Sequence, residues 1–475
     1  MTKKGDTVHL TVSDIAEGDR CYGRLESGMS VFVQGRLAIG DEVEAVVFKT
    51  KKNYIEAKLH RILSPSPDRV PPKCFHFGVC GGCKWQHVSY AAQLRQKEKQ
   101  VSDALLHIGG FKTFLMKPAI HAPHIFNYRN KVDFSFSNQR YLLPEEIGVE
   151  EGELQKRTDF ALGFHAPRRY DKAIDIDNCD IASPEMNTVL HIVKAFCLEK
   201  KLTAYSTVTH EGFLRNLVIR SGENTGELMV NLVTSWHDTE LMQELEYQLK
   251  EALQEKLTTF VNNISTKKNT VAFGEEEFCV IGKGHITETL GNYAFDISAN
   301  SFFQTNSAQT LNLYQKTREF AKLSQDDIVY DLYCGTGSIS IFISDACQKV
   351  LGIELVDSAI EDAKKNAERN DVKNCAFRML DLKDFGKISP ELEAFGLPDV
   401  VITDPPRAGM HPKAVQMLLR LSPKRIVYVS CNPASLARDG QLFCENGEYQ
   451  LLEAQPVDMF PHTNHIESVA VFEKQ

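Results

Sequence analysis

The chain has 475 residues, 43% of them hydrophobic and 25% charged, with a formal net charge of −9. At about 100–200 residues per domain this predicts roughly two to four domains, and the composition excludes collagen-like and disordered polymers. No run approaches the ~18 apolar residues of a transmembrane helix, and the N-terminal MTKKGDTVHL lacks the apolar core of a secretion signal, so a cytoplasmic chain without membrane contact is expected.

Twelve cysteines in such a chain point to metal binding or catalysis rather than a disulfide framework. Charge is segregated. Residues 62–140 hold eleven Lys/Arg against four Asp/Glu, and residues 141–160 hold two against six. Binding to nucleic acid responds to a local patch rather than to the total, so an RNA- or DNA-facing surface is expected toward the N-terminal part. A plain solvated face reads the same way.

Residues 1–62 read as short strands at Thr7–Val12, Cys21–Leu25, Met29–Val33, Asp41–Lys49 and Tyr54–Arg61, separated by glycine turns. That pattern predicts a small OB-like barrel. SPSPDRVPPK, with four prolines in ten residues, marks a boundary. A cysteine-rich knot at 74–83 comes next, then a helix over 89–108 capped by Ser89. From 126 to 300 the chain reads mainly as β-structure. LRNLVIRSG and ELMVNLVT form a hairpin across ENTG, and acidic 144–160 is a surface loop. From about 300 onward apolar β-branched runs alternate with helices, which predicts a parallel sheet covered on both faces. In such sheets ligands bind beyond the carboxyl ends of the strands.

The first of these strands ends in Asp331-Leu-Tyr-Cys-Gly335-Thr-Gly337, where two glycines let the backbone turn and approach a ligand. Glu354 ends the next strand, seventeen residues after Gly337, where an acid can accept from both ribose hydroxyls. Asp381 ends the third and can meet an adenine edge. A structural turn is the plain alternative. A dinucleotide site wants Gly or Ala three residues after the second glycine, and Ser340 stands there. S-adenosylmethionine has no phosphate and needs no such residue.

The fifth strand ends in Ser430-Cys431-Asn432-Pro433, and Pro433 suits the first turn of a helix. The positive helix N-terminus is expected to favour a Cys431 thiolate; a buried core cysteine is the alternative. Downstream, Glu467 comes after a loop with two histidines, as a general base or as a solvated carboxylate. A cysteine beside S-adenosylmethionine suggests methylation of uracil C5, where a thiolate adding to C6 makes C5 nucleophilic.

The motifs DLYCGTG, DPPR, SCNP and His465-Ile-Glu467 together resemble the RNA 5-methyluridine methyltransferases. Cys74-x5-Cys80-x2-Cys83 with distant Cys179 is similar to their iron–sulfur branch, the RumA/RlmD-type 23S rRNA uracil-5-methyltransferases, and residues 1–62 resemble their TRAM domain. The resemblance covers nearly the whole chain. It implies a multidomain α/β protein in three parts. These are a TRAM-like RNA-binding barrel over 1–62, a central mainly-β iron–sulfur domain contacting RNA over 63–299, and a Rossmann-like methyltransferase domain over 300–475. It implies Cys431 as nucleophile and Glu467 as base. Gln304, Tyr333, Ser338, Glu354, Asp381 and Asp404 become contacts of S-adenosylmethionine. Tyr333 stands where relatives often have Phe, and Ser338 where some have Asn. Cys74, Cys80, Cys83 and Cys179 become ligands of a [4Fe–4S] cluster, with four-thiolate zinc as the rival.

The implied partner is a 23S rRNA segment with a flipped uridine, bound by a monomer. The rivals are a tRNA T-loop uracil-5-methyltransferase, an amino-methyltransferase, and a non-enzymatic iron–sulfur RNA-binding module. Arg407 replaces the aromatic that an amino-methyltransferase would carry after its Asp-Pro-Pro.

Overall fold

The computed structural model describes residues 2–16, 20–268, 274–382 and 394–475. By contact the chain forms two compact units, Met1–Lys97 with Phe460–Asn464, and Glu98–Met459 with His465–Gln475.

The first unit contains a closed barrel of β1 (Thr7–Ala16), β2 (Arg20–Arg24), β3 (Ser30–Gln34), β4 (Glu42–Thr50) and β5 (Tyr54–Ser64), in the order β1-β2-β3-β5-β4. Alternation builds it: Val31 and Val33 of β3 point inward to Val43, Ala45, Ile55 and Ala57, while Phe32 between them faces out. Gly23 is required where β2 crosses β1, because a Cβ there would stand 2.4 Å from the Thr11 carbonyl oxygen. Beyond the barrel a helix spans Tyr90–Asp103, and the Ser89 hydroxyl accepts from Ala92 N at 3.4 Å, as its sequence position suggested. Its continuation, Ala104–Ile108, is a π-turn rather than α-helix, because Gly109 N reaches back to Ala104 O.

The second unit holds two large sheets. The first is seven-stranded. Its strands are β7 (Lys131–Ser137), β8 (Ala161–Ala166), β9 (Arg169–Asp175), β10 (Leu214–Ser221), β11 (Leu228–Thr234), β12 (Leu257–Ile264) and β13 (Glu276–Ile281), ordered β13-β12-β11-β10-β7-β8-β9. The expected hairpin is β10–β11, with Gly226 in the left-handed region at its turn. Helices Pro184–Glu199 and Thr239–Leu253 pack on β10 and β12. The acidic stretch at 144–160 forms two short 3-10 turns without buried residues, a surface segment as expected.

The other sheet is eight-stranded, ordered β18-β17-β16-β19-β20-β22-β21-β6. Its members are β6 (Leu115–Met116), β16 (Ile328–Leu332), β17 (Lys349–Glu354), β18 (Cys375–Met379), β19 (Val400–Thr403), β20 (Arg425–Ser430), β21 (Tyr449–Val457) and β22 (Glu467–Lys474). The first five in that order run parallel, as the apolar runs predicted. β22, the last strand in the chain, is antiparallel to both β20 and β21. Its first residue therefore arrives at the rim where the parallel strands end. A hairpin of β14 (His285–Leu290) and β15 (Tyr293–Ser298) joins the two sheets: buried Glu288 accepts from Glu223 N and Asn224 N of the β10–β11 turn, and Asp296 N donates to Asn366 of helix Asp357–Arg369, which flanks the eight-stranded sheet.

Asp41 ties the turn before β4 to the segment that follows β5. This buried carboxylate accepts from Ala38 N at 2.7 Å, Ser66 N at 2.9 Å, and Arg69 Nε and Nη2, both at 2.7 Å. Burial alone would raise its pKa, but the Arg69 guanidinium and the two amides overcome that and hold it below the usual value. Asp41→Ala strands Arg69, at a cost of about 3–5 kcal/mol. Hydrogen exchange in β1–β5 should accelerate accordingly. Because the folded pKa is depressed, this stabilisation is complete above an unfolded carboxyl value of about 3.9 and lost as pH falls through the lower folded value. The difference between wild type and Asp41→Ala should narrow in acid.

Candidate active site

The rim is assembled from backbone outward. Tyr333 comes directly after β16 with φ +63°, and Gly335 and Gly337 have φ +53° and +76°. At Gly337 a Cβ would also stand 2.8 Å from the Phe377 ring and 3.0 Å from Ala363 Cβ, so only glycine fits. At Gly335 nothing lies within 4 Å of where a Cβ would be, which leaves open space beside the loop. Glu354, the last residue of β17, accepts from Gly335 N at 3.2 Å and from Leu355 N and Val356 N at 2.7 and 3.1 Å. It thereby pins the glycine loop to the next strand end. Tyr333, Glu354 and Asp381 do come together. Burial pushes the Tyr333 phenol up to about 12, and the negative charges of Asp439, Asp381 and Glu354 push the same way. The Ser338 hydroxyl is 2.7 Å from the Tyr314 hydroxyl. Gln304 is buried, and its carbonyl accepts from Asn130 Nδ2 at 3.0 Å.

Sequence reasoning missed Asp331 as a site residue. It is fully buried, accepts from Ser340 Oγ at 2.6 Å, and leaves Oδ1 without a partner. Burial lifts it to about 7. Its signal was present, since an acid inside an apolar run is costly unless used. Thr403 Oγ1, one residue before Asp404, is a second buried atom without a partner. A left-handed glycine loop with open space, a hydroxyl-accepting acid at the next strand end and polar atoms awaiting partners fit an adenosyl ligand without phosphate.

Cys431 sits just past β20. The last registered pair of β20 and β22 is Ser430 with Ser468, so one further step brings Cys431 opposite Glu467. Asn432 caps the helix Pro433–Cys444 by accepting from Ala434 N at 3.1 Å, and its Nδ2 donates to Arg407 O at 3.0 Å. Arg438 donates to Ala408 O, and buried Asp439 accepts from Met410 N and from the Tyr428 hydroxyl. The Asp404–Arg407 loop is thus fixed beside the cysteine.

The expected thiolate is corrected here. Burial, then Glu467 and Asp404, pushes the Cys431 thiol up to about 11, with Arg407 opposing. The helix N-terminus does not outweigh desolvation and two carboxyl neighbours. Burial also lifts Asp404 to about 6, and burial with Asp404 lifts Glu467 well above the usual carboxyl range. Cys431 therefore holds its proton at neutral pH in the ligand-free site, whereas Asp404 ionises above about pH 6.

The four cysteines expected to bind metal are undisulfided. Gly82 N points at Cys80 Sγ at 3.5 Å, and Ile181 and Ala182 amides bond Cys179. Cys74, Cys80 and Cys83 lie in the first unit and Cys179 in the second. Among the described residues no group of three or more His, Cys, Asp or Glu is gathered to hold a metal ion, and no helix is long and apolar enough to cross a membrane.

On the barrel, Tyr22 of β2 pairs with Phe32 of β3, ring centroids 5.5 Å apart, and Tyr54 of β5 meets Phe32 edge-on at 5.6 Å. Arg20 lies over Phe32 at 5.2 Å and Arg24 over Tyr22 at 5.9 Å. This outward face combines stacking rings with cations.

Comparison with known proteins matches residues 156–475 to the family described as tRNA (Uracil-5-)-methyltransferase, and residues 2–60 to the TRAM domain. A protein of Chlorobaculum tepidum named as an uncharacterized RNA methyltransferase is 51% identical over 99% of this chain and 97% of its own. One of Porphyromonas gingivalis with the same description is 40% identical over 97% and 99%. The crystal structure of Pyrococcus abyssi tRNA (uracil-54, C5)-methyltransferase with S-adenosyl-L-homocysteine is similar over 98% of this chain and 99% of that one, with a TM-score of 0.72 and 30% identity.

The site's buried acids carry a stability cost with a definite sign. Asp404 holds its proton to about pH 6 when folded and to about 3.9 when unfolded. Its favourable contribution is complete below the lower value and gone above the upper one. Asp404→Asn should therefore stabilise the ligand-free protein at pH 8 by about 1–3 kcal/mol and do nothing near pH 4. Melting curves at the two pH values check this. Alkylation of Cys431 by iodoacetamide should climb with pH toward the thiol's value of about 11. Arg407→Ala should move that midpoint up.

Proposed function

This chain belongs to the tRNA (uracil-5-)-methyltransferase family, and we propose that it methylates C5 of specific uridines in 23S rRNA through a covalent bond between Cys431 and C6 of the base. The observation that carries this reading is the register of β20 and β22, which brings a cysteine opposite a buried glutamate at the same rim of the sheet from which the glycine loop emerges.

S-adenosylmethionine supplies the electrophilic methyl group. Glu354 and Asp381 would hold its ribose and adenine, and Tyr333, Gln304, Ser338 and Asp404 would line the rest of its site. The Cys431 proton passes to solvent as the sulfur adds to C6, and the electron pair released from the C5–C6 double bond makes C5 the nucleophile. After C5 is methylated it still carries its hydrogen. Glu467 takes that proton, the C–H pair re-forms the double bond, and Cys431 leaves as thiolate. Glu467 must be ionised at that moment. A cation entering the site offsets the burial that holds its proton in the free protein.

The division into a barrel over 1–62, an iron–sulfur and RNA-contacting domain over 63–299 and a catalytic domain over 300–475 belongs to the same reading, as does a cytoplasmic monomer. The aromatic and cationic barrel face suits single-stranded RNA, whose bases stack without sequence preference. The four cysteines are the candidate ligands of a [4Fe–4S] cluster. Soft thiolates suit it, amide–sulfur bonds of the kind seen at Cys80 and Cys179 tune such clusters, and no step of the chemistry passes through it. A tRNA T-loop target is the second reading, favoured by the full-length likeness to the Pyrococcus abyssi tRNA enzyme.

Glu467→Gln should methylate C5 and then stall with RNA bonded to Cys431, slowed by about 10²–10⁴. The stalled species should survive denaturing electrophoresis and carry the transferred methyl. Cys431→Ala should bind RNA and form none. An adduct mapping to another residue contradicts the mechanism. Mass mapping of 5-methyluridine in 23S rRNA and tRNA, with and without the enzyme, separates the two targets. Phe32→Ala should weaken RNA binding by about 1–3 kcal/mol while leaving S-adenosylmethionine affinity intact, as titration of each ligand would read. Anaerobically prepared protein should contain iron and sulfide; stoichiometric zinc with neither would replace the cluster by a structural zinc site.

A further inference from the structure

The loop that enters β22 is held by a helix more than 360 positions earlier in the sequence. His462 lies in this loop with φ +67°, in the left-handed region that non-glycine residues enter uncommonly, histidine more readily than β-branched residues. Each of its polar backbone groups is claimed. His462 N donates to Gln93 Oε1 at 2.8 Å, and His462 O accepts from Lys84 N and Trp85 N at 2.8 and 2.9 Å. Gln93 Nε2 lies 3.1 Å from His462 Nδ1, 3.0 Å from Trp85 O and 2.9 Å from Val88 O. One turn further along the same helix, Lys97 Nζ donates to Phe460 O at 3.0 Å. Gln93 and Lys97 are both fully buried.

A buried glutamine that binds one residue's N–H and ring while bracing the segment that binds its carbonyl over-determines a strained conformation. Strain of this kind persists only where the surroundings impose it, and the chain runs from His462 to Glu467 in five residues. We infer that Gln93 is a positioning residue for Glu467, acting through the left-handed backbone of His462. This inference rests on the proposed uracil-5 methylation through Cys431. A proton acceptor misplaced by ~1 Å costs up to about a hundredfold in rate, whereas addition of Cys431 to C6 does not use Glu467. Loosening the loop should therefore slow one step and spare the other.

The experiment compares Gln93→Met, His462→Gly and His462→Val in the full chain. Gln93→Met removes the donor and the acceptor at similar volume. His462→Gly keeps both backbone bonds and adopts positive φ without cost, while a β-branched residue resists it. Three readouts are taken: kcat and KM on uridine RNA, the rate of trapping by 5-fluorouridine RNA, and the amount of denaturation-resistant RNA adduct on uridine RNA. A C5 fluorine cannot be removed as a proton, so trapping reports the earlier steps alone. Gln93→Met and His462→Val should lose about tenfold to a hundredfold in kcat, hold KM within about threefold, trap at the wild-type rate and accumulate methylated adduct. His462→Gly should retain turnover within about threefold.

Gln93→Met turning over like wild type, or losing trapping in parallel with turnover, overturns the inference. So does His462→Gly failing like His462→Val, which would make the imidazole and not the backbone the active part. If Gln93→Met does not fold by circular dichroism, the two His462 variants decide. Wild type that neither makes 5-methyluridine nor traps fluorinated RNA would instead remove the underlying methylation reading.

Discussion

The antiparallel pairing of β22 with β20 is the constraint on which the site depends. A sheet of parallel strands presents only carboxyl ends at its functional rim. Reversing one strand brings an amino end there as well, so Cys431, just past β20, meets Glu467, the first residue of β22. A one-residue slip would turn Glu467 to the opposite face of the sheet. Register is protected by the body of the strand: Val469, Ala470, Val471 and Phe472 are all buried, between β20 on one side and β21 on the other. The core of the fold thus sets the spacing of its chemistry.

Burial gives that pair its character. Asp331, Asp404 and Glu467 all hold their protons more tightly than free carboxyls, in each case through desolvation first. Three acids crowded at one rim cannot all ionise in the empty site without strong mutual repulsion. The same low dielectric makes a positive ligand unusually welcome, because it is stabilised by each acid it allows to ionise. A buried, proton-holding set of acids is therefore a poor arrangement for stability and a good one for admitting a cationic methyl donor.

Much of this was legible in the chain. The barrel strands could be read from period-2 alternation between glycine turns, and each fell within a few residues of its place because Val31, Val33, Val43 and Ala45 have nowhere else to go. The glycine loop and Glu354 were readable because positive φ and a strand-end acid leave residue-type signatures. The features that escaped were properties of neighbours distant in sequence. The Cys431 thiol was expected to ionise from its helix N-terminus, but Glu467 and Asp404 approach it from other strands. Tyr333 at φ +63° carries no signature, since Tyr is an ordinary strand residue held there by its surroundings. The π-turn after Asp103 likewise reads as plain helix in sequence, because apolar spacing does not distinguish the two periods over five residues.

The assignment of Phe460–Asn464 to the N-terminal unit is the least legible feature and has the widest consequence. A domain reading taken along the sequence cuts the chain into consecutive blocks, and no periodicity reveals a five-residue loop that belongs with residues 1–97. Yet this loop immediately precedes the strand that opens with Glu467, the proposed base. Its hydrogen bonds run to Lys84 and Trp85, directly after Cys83, and to the helix beginning at Tyr90. The segment carrying three of the candidate cluster cysteines and the segment delivering Glu467 are therefore neighbours in the same compact unit.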